Sequence, residues 1–271
     1  MKFIEKLKSA SSKNNSLLCV GLDTELEKIP KFLLQEKDPI FAFNQEIIDS
    51  TSDLVCAYKP NLAFYEAYGI KGLEALMKTC EYIPKDIPII LDAKRGDIGN
   101  TSKMYAKAIF EEFKADGVTL SPYLGGDSLS PFLEYEDKCG FILCLTSNAG
   151  AKDFQLLSFD GKPLYKIVAE KVLSWNKKGN CGLVVGATYP EQLKEIREIA
   201  QDLPILIPGV GAQKGDAGLT VKYGTDEKGD LAIINSSRGV IYASAEKDFA
   251  KAARDEAKKL RDLFNSYRKK G

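Results

Sequence analysis

The sequence predicts a single (β/α)8 barrel with an N-terminal helix. Three observations carry that reading. Eight short apolar runs recur along the chain, their starts lie about 31 residues apart, and helical patterns fill the gaps between them. That spacing is the size of one strand–helix unit. The runs fall at 17–22, 54–58, 87–91, 117–120, 140–145, 181–186, 204–207 and 231–234. They are continuously apolar rather than alternating, as strands buried on both faces of a parallel sheet must be. Eight units fill the 271 residues and leave no length for a second domain, so residues 1–271 are expected to form one domain. An open doubly wound sheet is the competing closure, but the unit length favours the barrel.

The elements follow in order. The first fifteen residues, MKFIEKLKSASSKNN, are amphipathic and charged. They lack the apolar segment of a secretory signal, and no run approaches the roughly 20 residues of a membrane span. A soluble, cytoplasmic protein is expected. Asp38-Pro39 reads as an N-cap and first helical residue leading into FAFNQEIIDS. Leu73, Leu76, Met77 and Cys80 share a helical face. A helix beginning at Thr101 would turn Met104, Ala108 and Ile109 inward, and Leu164, Ile167, Val168 and Val172 repeat the spacing. Residues 188–191, TYPE, have the form of a capping box. The final helix, 249–267, carries Phe249, Ala253, Leu260, Leu263, Phe264 and Tyr267 on one broad stripe before a basic end at 268–270.

Composition narrows the chemistry. Lys plus Arg and Asp plus Glu each number 38, so the formal net charge is zero. Such a chain offers no global field for nucleic acid or anionic lipid. The chain contains no histidine, which removes Ser-His-Asp triads, Cys-His pairs and histidine metal ligands. Proton transfer near neutral pH must then use Lys, Asp, Glu, Tyr or Cys. The six cysteines show no CxxC spacing, and four of them (Cys19, Cys56, Cys144, Cys181) sit inside apolar runs. They read as buried reduced thiols.

In a (β/α)8 barrel the reactive groups sit at the C-terminal ends of the strands. Those ends carry Asp23, Lys59, Asp92 with Lys94, Ser121, Thr146 with Ser147, Thr188, Pro208 with Gly209, and SSR at 236–238. In LDAKRGDIGNTS, Asp92 and Lys94 are two apart and point to the same side of a strand. With Ala93 outward, both charges face the barrel axis. Lys59 adds a second cation from the neighbouring strand, and Asp97 follows the turn at Gly96. Two carboxylates and two ammoniums would alternate in one nearly neutral pocket. The bland alternative is a salt-bridge cluster closing the barrel mouth.

The second constellation is PGVGAQKGD at 208–216, where Gly209 and Gly211 let backbone amides approach an anion ahead of a helix N-terminus. The following strand ends in SSRG, whose Arg238 suits phosphate through its planar fork. Loops after strands seven and eight are the usual phosphate site of this barrel.

Taken together, VGLD (20–23), YKPN (58–61), LDAKRGDIGNTS (91–102), LTSNAG (145–150), PGVGAQKGD and SSRGVIYAS (236–244) resemble the orotidine 5′-monophosphate decarboxylase family. DAKRGDIG is similar to the longer of its two main sequence subtypes, with Ala149 standing where proline is expected. The resemblance implies conversion of orotidine 5′-monophosphate to uridine 5′-monophosphate (UMP) and carbon dioxide, the last step of pyrimidine synthesis, without metal or cofactor. It implies that Lys59, Asp92, Lys94 and Asp97 form a charged tetrad, with Lys94 as proton donor to C6 of the pyrimidine. Asp97, Ile98 and Thr101 would enter the other subunit's site in a homodimer. Asp23 and Lys59 would hold ribose hydroxyls, with Asn61 nearby. Thr146 and Ser147 would read the pyrimidine edge, and Pro208 would pack by the ring. Gln213 would bridge phosphate and base, and Ser237 and Arg238 would bind phosphate.

Three other readings share parts of this pattern. A sugar-phosphate decarboxylase of the same superfamily shares D-x-K-x-x-D but needs Mg²⁺. A Schiff-base aldolase would use Lys94 or Lys59 as nucleophile. A phosphate-ligand-binding barrel would use the charges structurally.

Overall fold

The computed structural model describes residues 1–210 and 215–269. Eight parallel strands form a nearly closed barrel: β1 Leu18–Leu22, β2 Ala57–Pro60, β3 Ile90–Arg95, β4 Gly117–Leu120, β5 Cys139–Leu145, β6 Cys181–Val185, β7 Ile205–Pro208 and β8 Ala232–Ser236. Sequential neighbours pair from β3 round to β8, and β8 pairs with β1 and β1 with β2. The seam between β2 and β3 is held by single bridges, Tyr58 to Ile89 and Asn61 to Asp92. Each expected strand is present, displaced by at most a few residues. β2 starts late because Leu54 and Val55 are buried under the helices before the ladder begins. β3 runs on to Arg95 because its polar residues continue into the mouth.

Side chains alternate between two cores. Cys19, Ala57, Ile90, Cys139, Phe141, Val184, Leu206 and Ile233 fill the lower barrel interior, while the outward residues pack under the helices. The N-terminal helix Phe3–Lys13 closes the floor. Phe3 meets Phe141 edge to face at 5.4 Å, and Lys6 pairs with Asp116 at 2.7 Å. With its floor plugged, the barrel is open to ligands at the C-terminal end. Buried Arg197 donates to the carbonyls of Ala200 (2.9 Å), Leu203 (2.8 Å) and Gly224 (3.1 Å), tying together the loops ahead of β7 and β8.

Several helical details differ from expectation. The helix after β3 spans Gly99–Lys107, two residues earlier than expected, and passes into a π-helical turn, Ala108–Glu112. Its inward face is Ser102, Ala106 and Ile109, leaving Met104 57% exposed, because positions 102, 106 and 109 share one face and 104 does not. In the last helix, Phe249–Tyr267, the buried line is Phe249, Ala253, Ala257, Leu260 and Phe264, with Leu263 and Tyr267 at its exposed edge. In Leu164–Trp175 the buried face is Tyr165, Ala169 and Val172, and Leu164 is exposed. No capping box forms at 188–191: the helix Pro190–Ile199 has Tyr189 as N-cap, without a side-chain cap bond. An unexpected hairpin, Ser158–Phe159 with Lys162–Pro163, leads directly into the helix Leu164–Trp175. All six cysteines are free and buried. No helix among the described residues is long and apolar enough to cross a membrane.

Candidate active site

The strand alternation that buries the lower core lifts polar groups into the mouth one step higher. Lys59 follows inward Ala57, Asp92 follows Ile90, and Asn235 follows Ile233. Asp92 is the centre of the cluster. Its Oδ2 accepts from Lys59 Nζ at 3.1 Å and its Oδ1 from Lys94 Nζ at 2.6 Å. Lys59 also lies 3.9 Å from Asp23 Oδ1. Burial pulls the Lys59 ammonium down, but the Asp92 and Asp23 carboxylates outweigh it and hold the group above the ordinary lysine range. Burial pushes the Asp92 carboxyl up, yet Lys59 and Lys94 more than offset it and hold it well below the usual carboxylate range. Both groups are therefore charged at neutral pH.

Lys94 differs from its neighbours. Ala93 packs outward, as the two-residue spacing requires, but the Lys94 backbone is left-handed at φ 45°. For a non-glycine residue this costs about 1–3 kcal/mol. The strained residue sits in a bulge, where the β3–β4 register shifts between Leu91 and Arg95. Its side chain is 52% exposed and leans over the mouth.

Asp97 does not join this cluster within the chain. Its Oδ1 accepts from the Ile98 backbone N–H at 2.8 Å, and among the described residues it makes no ion pair. The four charged groups that one chain assembles in the mouth are thus Asp23, Lys59, Asp92 and Lys94; Asp97, expected to reach the cluster from the other subunit, is not among them. Beyond Gly96, Ile98 and Thr101 are exposed, Ile98 at 60%.

The β1 loop is braced from three sides. Tyr65 donates to the Leu22 carbonyl at 2.9 Å, and Thr24 donates to Asn44 at 2.6 Å. Tyr242, from the SSRGVIYAS segment, donates to the Asp23 carbonyl at 3.0 Å and accepts from the Glu25 N–H at 2.7 Å. Asn61 caps the helix Leu62–Glu66 through the Ala63 N–H at 3.2 Å. Thr146 is fixed by Gln155, which accepts from its N–H at 2.7 Å and donates to its hydroxyl at 2.9 Å. Ser147 abuts Gly186, where an added Cβ would come within 2.8 Å.

On the anion side, Pro208 ends β7 in register with Asn235. Gly209 takes φ 104°, a conformation glycine adopts without strain. Gln213 and Gly211 lie outside the described residues. Ser237 accepts from Asn235 Nδ2 at 3.3 Å, and exposed Arg238 opens the short helical turn Arg238–Ile241. Sequence reasoning missed Gln155, Tyr242, Asn235 and Thr119, the last bonded to both Asp92 and Lys94.

Residues 16–254 match the model of the orotidine 5′-phosphate decarboxylase / HUMPS family. The chain belongs to that family. An orotidine 5′-phosphate decarboxylase of Dehalococcoides mccartyi is 54% identical over 274 residues, covering 100% of both chains. One from Ralstonia pickettii is 49% identical over 270 residues, covering 99% of this chain and 100% of its own. The solved structure of Leishmania donovani OMP decarboxylase superposes with a TM-score of 0.86 at 38% identity, covering 98% of each chain. The (β/α)8 barrel of the family is therefore the fold of this chain.

Proposed function

We propose that this chain decarboxylates orotidine 5′-monophosphate to UMP as a one-domain, cytoplasmic homodimer. The observation that carries the reading is Asp92, clamped between Lys59 and Lys94 in the barrel mouth. The C6–carboxylate bond breaks, carbon dioxide leaves neutral, and the electron pair stays on C6. Lys94 Nζ then delivers its proton to C6 and is reprotonated from solvent.

The carbanion has no adjacent carbonyl to receive its charge, so stabilisation must be electrostatic. An ammonium at ~4 Å in an effective dielectric of ~20 supplies about 4 kcal/mol. Repulsion between Asp92 and the substrate carboxylate is of similar order and disappears as carbon dioxide departs. Neither alone covers the ~8–23 kcal/mol of a typical enzyme, so the remainder is assigned to phosphate binding that orders the mouth. In this reading Asp23, Lys59 and Asn61 hold the ribose, Thr146 and Ser147 read the base edge, and Pro208 packs beside the ring. Gln213, Ser237 and Arg238 take the phosphate, and Asp97, Ile98 and Thr101 serve the partner's site. No metal or organic cofactor takes part.

The deciding measurement follows orotidine 5′-monophosphate loss spectrophotometrically with EDTA present. Turnover is expected to persist in EDTA and to fall by several orders of magnitude in Lys94→Ala, while UMP still binds. Loss of activity in EDTA would favour the Mg²⁺-dependent sugar-phosphate reading. Retention of more than about a tenth of kcat, a cost under ~1.4 kcal/mol, would remove Lys94 as proton donor.

A further inference from the structure

We infer that Thr119 is a positioning residue that sets the placement of Lys94 against Asp92, an inference that rests on Lys94 being the proton donor. Thr119 lies in β4 between Val118 and Leu120, both of which pack into the outer core. Its side chain therefore turns into the barrel, one step above Gly117, and it is 1% exposed. Thr119 Oγ1 accepts from the Lys94 backbone N–H at 2.9 Å and donates to Asp92 Oδ1 at 2.9 Å. The direction of both bonds is forced. A backbone N–H can only donate, so the single hydroxyl hydrogen is available for the carboxylate.

The position of this hydroxyl explains how a left-handed lysine persists in the strand. At the bulge the regular β3–β4 ladder is interrupted between Leu91 and Arg95, so the Lys94 N–H has lost its ladder partner. The Thr119 hydroxyl replaces that partner with a side chain which is itself oriented by Asp92. One hydroxyl thus fixes the backbone of Lys94 and the carboxylate that accepts from its Nζ. Those two groups are held 2.6 Å apart at their charged ends. Removing the hydroxyl leaves the Lys94 N–H without its acceptor and releases the φ of 45° toward the extended region. The ammonium swings with the Cα–Cβ bond, while Lys59, Asp23 and the phosphate side keep their contacts. The loss should fall on the chemical step and spare binding.

The test compares Thr119→Val, which keeps the shape and removes the hydroxyl, with Thr119→Ser, which keeps the hydroxyl. Thr119→Ala is run beside them to remove the hydroxyl without a second branch. The readouts are kcat for orotidine 5′-monophosphate, Kd for UMP by calorimetry, and the thermal midpoint. Val and Ala should lower kcat at least tenfold with UMP affinity kept within about threefold. Ser should return kcat to within about threefold of the parent. Unchanged kcat in folded Val or Ala overturns the inference, as does a parallel loss of kcat and UMP affinity. A folded Ser variant as impaired as Val overturns it too, because packing of the methyl would then be the cause. Failure of the proton-donor reading is separately visible, since Lys94→Ala would then retain turnover.

Discussion

Gly21 in β1 and Ser237 after β8 are packed so closely that a Cβ on Gly21 would lie 1.8 Å from the Ser237 Oγ. A methyl there must displace the turn that presents Arg238. Overpacking of this kind costs about 1–3 kcal/mol. Gly21→Ala is expected to lower unfolding stability by that amount in urea titrations. In a Ser237→Gly background, which removes the opposing atoms, most of the cost should vanish. An equal cost in both backgrounds would place the strain elsewhere.

Arg238 is exposed at the head of its helical turn, where a phosphate dianion can reach its planar fork. Arg238→Ala should raise KM for the nucleotide by about 10- to 150-fold, the worth of one charge-assisted contact. Orotidine, lacking the phosphate, should be a far poorer substrate and scarcely register the change. Equal damage to nucleotide and nucleoside turnover would put Arg238 away from the phosphate.

The charge cluster also sets a pH window for stability. Asp92 is held below its ordinary range, so its contribution is present above the unfolded aspartate value of about 3.9. It is lost as pH falls through the folded value. Lys59 is held above its ordinary range, so its contribution is complete below about 10.4 and lost as pH rises through the folded value. Asp92→Asn, which leaves the buried Lys59 ammonium with only the more distant Asp23 carboxylate at 3.9 Å, should be clearly less stable than the parent at pH 7. That gap should narrow steadily below about pH 4. A gap of constant size from pH 7 to 3 would show that Asp92 acts through packing and not through charge.

The strands were legible because both their faces are buried, so continuous apolar runs mark them without ambiguity. Lys59 and Asp92 were legible for the same reason, since a charge two residues beyond an inward apolar side chain must enter the mouth. Thr119 was not, because a threonine within GVTL reads as an ordinary strand former and its partners come from the adjacent strand. Tyr242 reaches Asp23 across 219 residues of sequence, a pairing no local pattern encodes. Met104 was misplaced because a start signal at Thr101 does not fix which face is buried, and the inward face is the one that carries Ser102, Ala106 and Ile109. The hairpin at Asp160-Gly161 did carry a local signal. Both residues take positive φ, the preference of Asp-Gly in a tight hairpin turn.

Asp97 is the acidic residue of LDAKRGDIGNTS that stays outside the cluster of its own chain. Within one chain its carboxylate takes the Ile98 N–H and makes no ion pair among the described residues, although it stands three residues from Lys94. The neighbouring apolar surface at Ile98 and Met104 is 60% and 57% exposed, large side chains left uncovered beside the mouth. A two-fold interface over that surface would bring Asp97 into the partner's site. Asp97→Ala and Lys94→Ala should each be nearly inactive as homodimers. In a mixed dimer, the chain carrying Asp97→Ala keeps its own Lys94 and receives an intact Asp97 from its partner. That site is whole, and the other lacks both residues. Random reassortment makes half the dimers mixed, and half their sites are whole, so about a quarter of the parent activity should return. Were Asp97 to act within its own chain, every site would lack one residue and mixing would restore nothing. Absence of rescue after verified subunit exchange would therefore refute the shared site while leaving the decarboxylase chemistry of Lys94 intact.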